Sequence, residues 1–183
     1  MTSTDYQNRC EYIKSKVRTV PNWPIDGVMF RDITTILTDT KAFRETCDIF
    51  YDRYRSANID KIVGIDARGF LFGAVLAYKM GIGFVPVRKK GKLPYKTIEE
   101  SYSLEYGEAT IAIHEDAIEK GDRVVIVDDL IATGGTIGAA VNLVEKLGGE
   151  IVECAFVIEL PDLKGREKLG NHKIFAIMEF EGD

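Results

Sequence analysis

The sequence has little cysteine and histidine, no long apolar run and no surplus of positive charge. Its three cysteines, Cys10, Cys47 and Cys154, are odd in number and include no CxxC pair. That argues against a disulfide framework or a cysteine zinc site and fits free thiols in a reducing cytosol. His114 and His172 stand far apart, and each reads as a surface or hydrogen-bonded histidine rather than a ligand. A net charge of −5 leaves no broad basic face for non-specific nucleic-acid binding, although a local basic patch remains open. No apolar stretch is long enough to span a membrane. The first residues, MTSTDYQNRCEY, lack both an apolar h-region and an Arg-rich, acid-poor character, so a cytoplasmic location is expected. No repeat and no low-complexity tract occurs.

What is present is an alternation of apolar strands and amphipathic helices across 183 residues. The length suits one domain, and the alternation predicts a mostly parallel sheet flanked by helices. A first helix is expected over 5–18, ended by Pro21 and Pro24, followed by an irregular segment over 22–37. Asp39 is a plausible N-cap for a helix presenting Phe43, Cys47, Phe50 and Tyr54 on one face. Strands are expected at 61–66 and 84–88, separated by a helix from Gly69 to Met80 that Gly81 closes in the left-handed conformation. The segment 89–100, KKGKLPYKTIEE, has no clear period and reads as a mobile basic loop. Residues 101–105 and 109–114 alternate like the two arms of a hairpin. Further strands are expected at 124–127, 150–160 and 173–178, the last at a sheet edge, with a helix over 134–147.

The informative stretch is VVIVDDLIATGGT, residues 124–136. An uninterrupted apolar strand of this kind is buried on both faces. It delivers Asp128 and Asp129 to the carboxyl end of the sheet, where ligands bind in open α/β folds. Two glycines then turn the chain into a helix. Glycine lets backbone approach an anion closely, and a helix N-terminus offers free N–H groups with partial positive charge. No GxxxxGK[ST] occurs, so this is not a Walker loop. Two acids beside a phosphate cradle would repel a bare phosphate. Sugar hydroxyls or a magnesium ion would satisfy them. Read alone, the stretch describes a ribose 5-phosphate site and leaves the acceptor open.

The same stretch resembles the phosphoribosyl pyrophosphate (PRPP) signature of type I phosphoribosyltransferases. The resemblance extends to residues 27–33 (GVMFRDI), 68–73 (RGFLFG), 88–94 (RKKGKLP), 101–107 (SYSLEYG) and 163–169 (LKGREKL). As a set these are similar to the adenine branch of that family. The resemblance implies a single phosphoribosyltransferase domain over 1–183, with a five-stranded sheet, a hood over about 1–37 and a flap over about 89–113. It also implies conversion of adenine and PRPP to AMP and pyrophosphate, a purine-salvage reaction using Mg²⁺ held mainly through PRPP, by a homodimer.

Residue roles follow from the same resemblance. Asp128 and Asp129 would hold the ribose hydroxyls, and Ala132, Thr133, Gly134, Gly135 and Thr136 the 5′-phosphate. Arg68 would contact the pyrophosphate, and Arg88, Lys89 and Lys92 would supply further cations there. Many relatives carry Ser before this arginine, whereas Ala67 stands here. Phe30 would stack on the purine, while the carbonyl of Met29 and the N–H of Arg31 would read its edge. Glu105, in the flap, would face purine N7 as a proton donor or hydrogen-bond partner, flanked by Tyr102 and Tyr106.

Overall fold

The computed structural model describes residues 3–103 and 107–182. Helix α1 (Ser3–Lys14) leads into a two-stranded antiparallel ribbon, β1 (Arg18–Pro21) with β2 (Met29–Asp32). The short α2 (Thr34–Thr38) and the longer α3 (Thr40–Tyr54) follow. The main layer comprises β3 (Lys61–Ile65), α4 (Arg68–Met80), β4 (Gly83–Lys89), β5 (Thr97–Ser103), β6 (Glu108–His114), β7 (Arg123–Ile131), α5 (Gly135–Lys146), β8 (Glu150–Glu159) and β9 (Ile174–Glu179). Two 3-10 turns, Pro161–Leu163 and Gly165–Leu169, lie between β8 and β9.

The strand order is β5-β6-β4-β3-β7-β8-β9. Strands β4, β3, β7, β8 and β9 are all parallel, as the alternating pattern predicts. The sheet has seven strands rather than five, because the hairpin β5–β6 adds antiparallel to the edge of β4. Helices cover both faces. Val125 and Val127 point into a core built with α3 and α4, whereas Val124 and Ile126 point into a second core under α5. That two-sided burial explains why β7 is apolar at every position from 124 to 127. Phe72 and Phe156 are fully buried, one in each core, and removing such a ring costs about 3–5 kcal/mol. The Arg53 guanidinium and the Tyr54 hydroxyl both donate to the buried Glu153 carboxylate, which ties α3 to β8.

Several boundaries differ from the sequence expectation. Helix α1 ends at Lys14 and not at 18, because Arg18–Pro21 pairs with β2 instead. Pro21 sits at the last position of that edge strand, where a missing N–H is harmless. The segment 22–37, expected to be irregular, contains β2 and α2. The basic loop gives way to strand at Thr97. Its inward face carries Ile98, Glu100 and Tyr102, and Glu100 bonds to Asn142 and Lys146 of α5. A polar residue on an inward face hides the period-2 signal. Strand β7 runs on to Ile131, so the two acids lie inside its last turn of pairing rather than beyond it. The Asp39 side chain accepts the Ala42 N–H at 2.9 Å, as an N-cap should. Gly81 closes α4 with a φ of 71°.

Candidate active site

Strand order reverses between β3 and β7, since β3 continues outward to β4 while β7 continues the other way to β8. The carboxyl ends of strands at such a switch point flank a ready crevice. A cavity of about 330 Å³ lies there. Its walls are Asp66, Ala67 and Arg68 after β3, Asp128 to Ile131 of β7, the turn 132–136 and its following residue Ile137, with Lys89 and Tyr102 from the hairpin side. The Asp66–Ala67 peptide is cis.

The turn 132–136 is shaped by backbone-on-backbone contact. Gly134 has a φ of 78°, which L side chains rarely adopt, and a Cβ there would lie 2.4 Å from the Gly165 carbonyl. A Cβ on Gly165 would in turn lie 2.3 Å from the Ala132 carbonyl. Neither position tolerates a side chain without moving the turn. Gly165 is held from behind, because Arg166 donates through two nitrogens to the buried Glu159 carboxylate. On the β3 side, Gly69 serves close approach: a Cβ would fall 2.5 Å from the Val127 carbonyl. Its absence lets the first turn of α4 rest on β7 and sets Arg68 beside the acids.

The electrostatics of the floor are uneven. Asp128 keeps an opening to the cavity but sits deep in protein. Burial first, and then the Asp129 charge, raise its pKa well above the usual carboxylate range. Its Oδ1 accepts the Asp129 N–H at 2.8 Å. Asp129 is buried and bonds through Oδ2 to Arg68 Nε. For Arg68, burial opposes the charge, but Asp129, Asp128 and Asp32 outweigh it and raise the pKa. Two close carboxylates that disfavour joint ionisation suit a ligand bringing hydroxyls or a cation. Thr136 Oγ1 donates to Tyr102 Oη at 2.9 Å, linking the turn to the hairpin.

The segment expected to read the base, residues 29–31, lies on the separate ribbon. Phe30 meets Trp23 edge-on with centroids 4.3 Å apart. Met29, Phe30 and Arg31 are all half-buried, and none lines the cavity described above. Asp32, at the end of β2, accepts from Arg18 and from Thr34, which fixes the ribbon's exit.

A phosphoribosyl transferase domain family matches residues 32–178. The adenine phosphoribosyltransferase of Desulfosudis oleivorans is 70% identical over 171 residues, covering 93% of this chain and 99% of that protein. The chain belongs to the adenine phosphoribosyltransferase family. Among solved structures, the adenine phosphoribosyltransferase of Thermoanaerobacter pseudethanolicus superposes with a TM-score of 0.90 at 48% identity, covering 93% of this chain and 99% of that one. The Saccharomyces cerevisiae enzyme, complexed with D-2,5-dideoxy-2,5-imino-altritol 1,6-bisphosphate and adenine, superposes at 0.89 with 41% identity, covering 94% and 99%.

Within this phosphoribosyltransferase, the residues singled out from sequence are distributed unequally. Arg68, Asp128, Asp129, Ala132, Thr133, Gly134, Gly135, Thr136 and Lys89 share one cavity. Arg88 points elsewhere: its Nε bonds to Asp66 Oδ2 at 2.9 Å and its Nη1 to the Lys92 carbonyl at 3.1 Å. Lys92 is exposed and does not line that cavity. Glu105 and its neighbour Tyr106 lie outside the described residues. Sequence reasoning missed Asp66 as the anchor of Arg88, and Gly165 as the backing of the turn 132–136. The Gly165 signal was present in the 163–169 segment, but only as a resemblance. Among the described residues, no group of three or more His, Cys, Asp or Glu side chains could hold a metal ion, and no helix is long and apolar enough to cross a membrane.

Proposed function

We propose that this chain transfers the 5-phosphoribosyl group of PRPP to adenine, giving AMP and pyrophosphate in purine salvage. The observation that carries the reading is the pairing of two adjacent acids with a glycine-shaped phosphate turn at the sheet's switch point. Adenine N9 attacks the anomeric carbon, pyrophosphate leaves with the bond electrons, and the N9 proton is released. Asp128 and Asp129 hold the ribose hydroxyls, and their charge favours the cationic sugar that develops as the bond breaks. Residues 132–136 take the 5′-phosphate through N–H groups and threonine hydroxyls. Arg68 turns from Asp129 to the pyrophosphate, where a guanidinium matches two oxygens at once. Lys89 adds charge at the same wall. Arg88, bonded to Asp66, and Lys92, whose carbonyl accepts from Arg88, would reach the pyrophosphate by turning from those positions.

The donor set near the turn is two carboxylates, one of them bonded to arginine. That fits Mg²⁺ arriving with PRPP, which keeps most of its oxygens on substrate and water. Bound there, the ion would neutralise charge on the departing pyrophosphate.

Phe30 stacks on the base, and the main chain of Met29 and Arg31 reads its edge. Such backbone readers reject hypoxanthine and guanine, whose donors and acceptors are reversed. Glu105 has the role of proton donor or hydrogen-bond partner to purine N7. The segment 1–37 serves as hood and 89–113 as flap of a single domain. A cytoplasmic homodimer is part of the same reading. Leu71 and Tyr78, 41% and 86% exposed and seven residues apart on α4, support a self-contact along that helix.

Steady-state AMP formation from adenine and PRPP with Mg²⁺, in competition with hypoxanthine and guanine, tests the function. Turnover of hypoxanthine but not adenine would overturn it.

A further inference from the structure

Residues 180–182, after β9, are tied to the body of the molecule. Lys14 of α1 donates to the Glu179 carbonyl at 2.6 Å, and its ammonium lies 4.8 Å from the Phe180 ring centroid. The Arg31 guanidinium lies over the same ring, also at 4.8 Å. Arg31 Nη2 donates to the carbonyls of Glu181 and Gly182 at 3.1 and 3.2 Å, and Nη1 donates to Thr19 Oγ1 at 2.7 Å. The Phe180 N–H reaches the Glu159 carbonyl at 3.0 Å, and Asp162 Oδ2 accepts the Gly182 N–H at 2.8 Å.

The Arg31 donors that find partners, at Nη1 and Nη2, meet main-chain carbonyls and one hydroxyl, not a carboxylate, while Nε is buried without a partner. Carbonyls are fixed by the path of the chain, so this arrangement constrains position more than it neutralises charge. The strand that carries Arg31 needs such a constraint. It belongs to a two-stranded ribbon outside the main sheet, and an isolated hairpin is marginal in water. The same residue, Gly182, is held from the far side by Asp162, which lies in the 3-10 turn Pro161–Leu163.

We propose that residues 179–182 form a clasp that sets the position of β2, with Arg31 as a positioning residue for base selection. The proposal rests on the reading of β2 as the base-reading strand. The clasp fixes the main-chain groups of Met29 and Arg31 relative to the sugar, so loosening it degrades base binding and leaves PRPP binding in place.

The test is a kinetic split on the full chain with Arg31→Met, Arg31→Lys and Phe180→Ala. Loss of two charge-assisted bonds in Arg31→Met is expected to raise KM for adenine about tenfold. The KM for PRPP should move by less than about twofold, and adenine-over-hypoxanthine preference should fall. Arg31→Lys, which keeps a cation able to meet one carbonyl, should recover part of the loss. Phe180→Ala keeps every Arg31 hydrogen bond and should raise KM for adenine about threefold through lost cation–π contact. It supplies the test if Arg31→Met does not fold. An unmoved adenine KM in these variants, or an equal rise in both KM values, overturns the clasp. A wild-type protein that makes no AMP removes the base-site reading instead, before any variant is compared.

Discussion

The two halves of the site are built differently. The proposed phosphate side stands on β7, a strand buried on both faces and hydrogen-bonded on both edges. The proposed base side stands on a two-stranded ribbon whose second strand is half-buried throughout. On that reading, chemistry common to every acceptor falls on the strand paired on both edges. Selection of the acceptor falls on a small piece outside the main sheet, held by side chains and by bonds to residues 181 and 182. The contrast predicts that the two substrates respond to separate sets of substitutions.

The largest expected effect comes from the floor. Asp128→Asn with Asp129→Asn should lower kcat/KM for PRPP by about 10²–10³, the scale of losing preorganised charge at a transition state. Initial-rate measurements over a PRPP series check this, and near-normal turnover would remove the acids from the mechanism. Next is Gly134→Ala. A Cβ 2.4 Å from a carbonyl, on a residue with φ 78°, costs about 1–3 kcal/mol of strain. Calorimetric PRPP–Mg²⁺ affinity should fall about tenfold or more, with KM for adenine little changed. From the other side, Phe30→Ala should raise KM for adenine about tenfold, in line with base–aromatic stacking. If Phe30→Ala weakened PRPP binding instead, the division between the halves would fail.

The smallest effect is on stability and has the opposite sign to activity. Asp128 has its pKa raised in the folded protein by burial and by Asp129. A carboxyl of this kind supports folding while protonated, and that support is lost as pH rises from the ordinary carboxylate range through the raised value. Asp128→Asn should therefore melt higher than wild type at neutral pH, by about 2–4 °C for about 1 kcal/mol. The gap should close on acidification, as the wild-type carboxyl takes up its proton. A melting curve series from pH 8 to about 4 reads this directly; a gap that widens on acidification would contradict the assignment.

Legibility in the sequence followed the same division. The five parallel strands were readable, because burial on both faces leaves continuous apolar runs such as 124–127. The turn into α5 at 132–136 was readable because its glycines mark it. The hairpin arm at 101–103 was readable, but the first half of β5, 97–100, was not, because its inward Glu100 is held by partners on α5 that only the fold brings near. Strands β1 and β2 were not, since four-residue strands at intermediate exposure carry almost no periodicity. The direction of Arg88 toward Asp66 was likewise hidden: a basic residue in a lysine-rich segment gives no sign of its partner 22 positions away.

The contact between Gly134 and Gly165 has a consequence for how such a site drifts. Main chain meets main chain there, and no side chain takes part. Substitution at either position can break the contact but has nothing with which to adjust it in small steps. Variation at this contact is therefore confined to abrupt loss, while the ribbon, joined through side chains that can be exchanged one at a time, can shift by degrees.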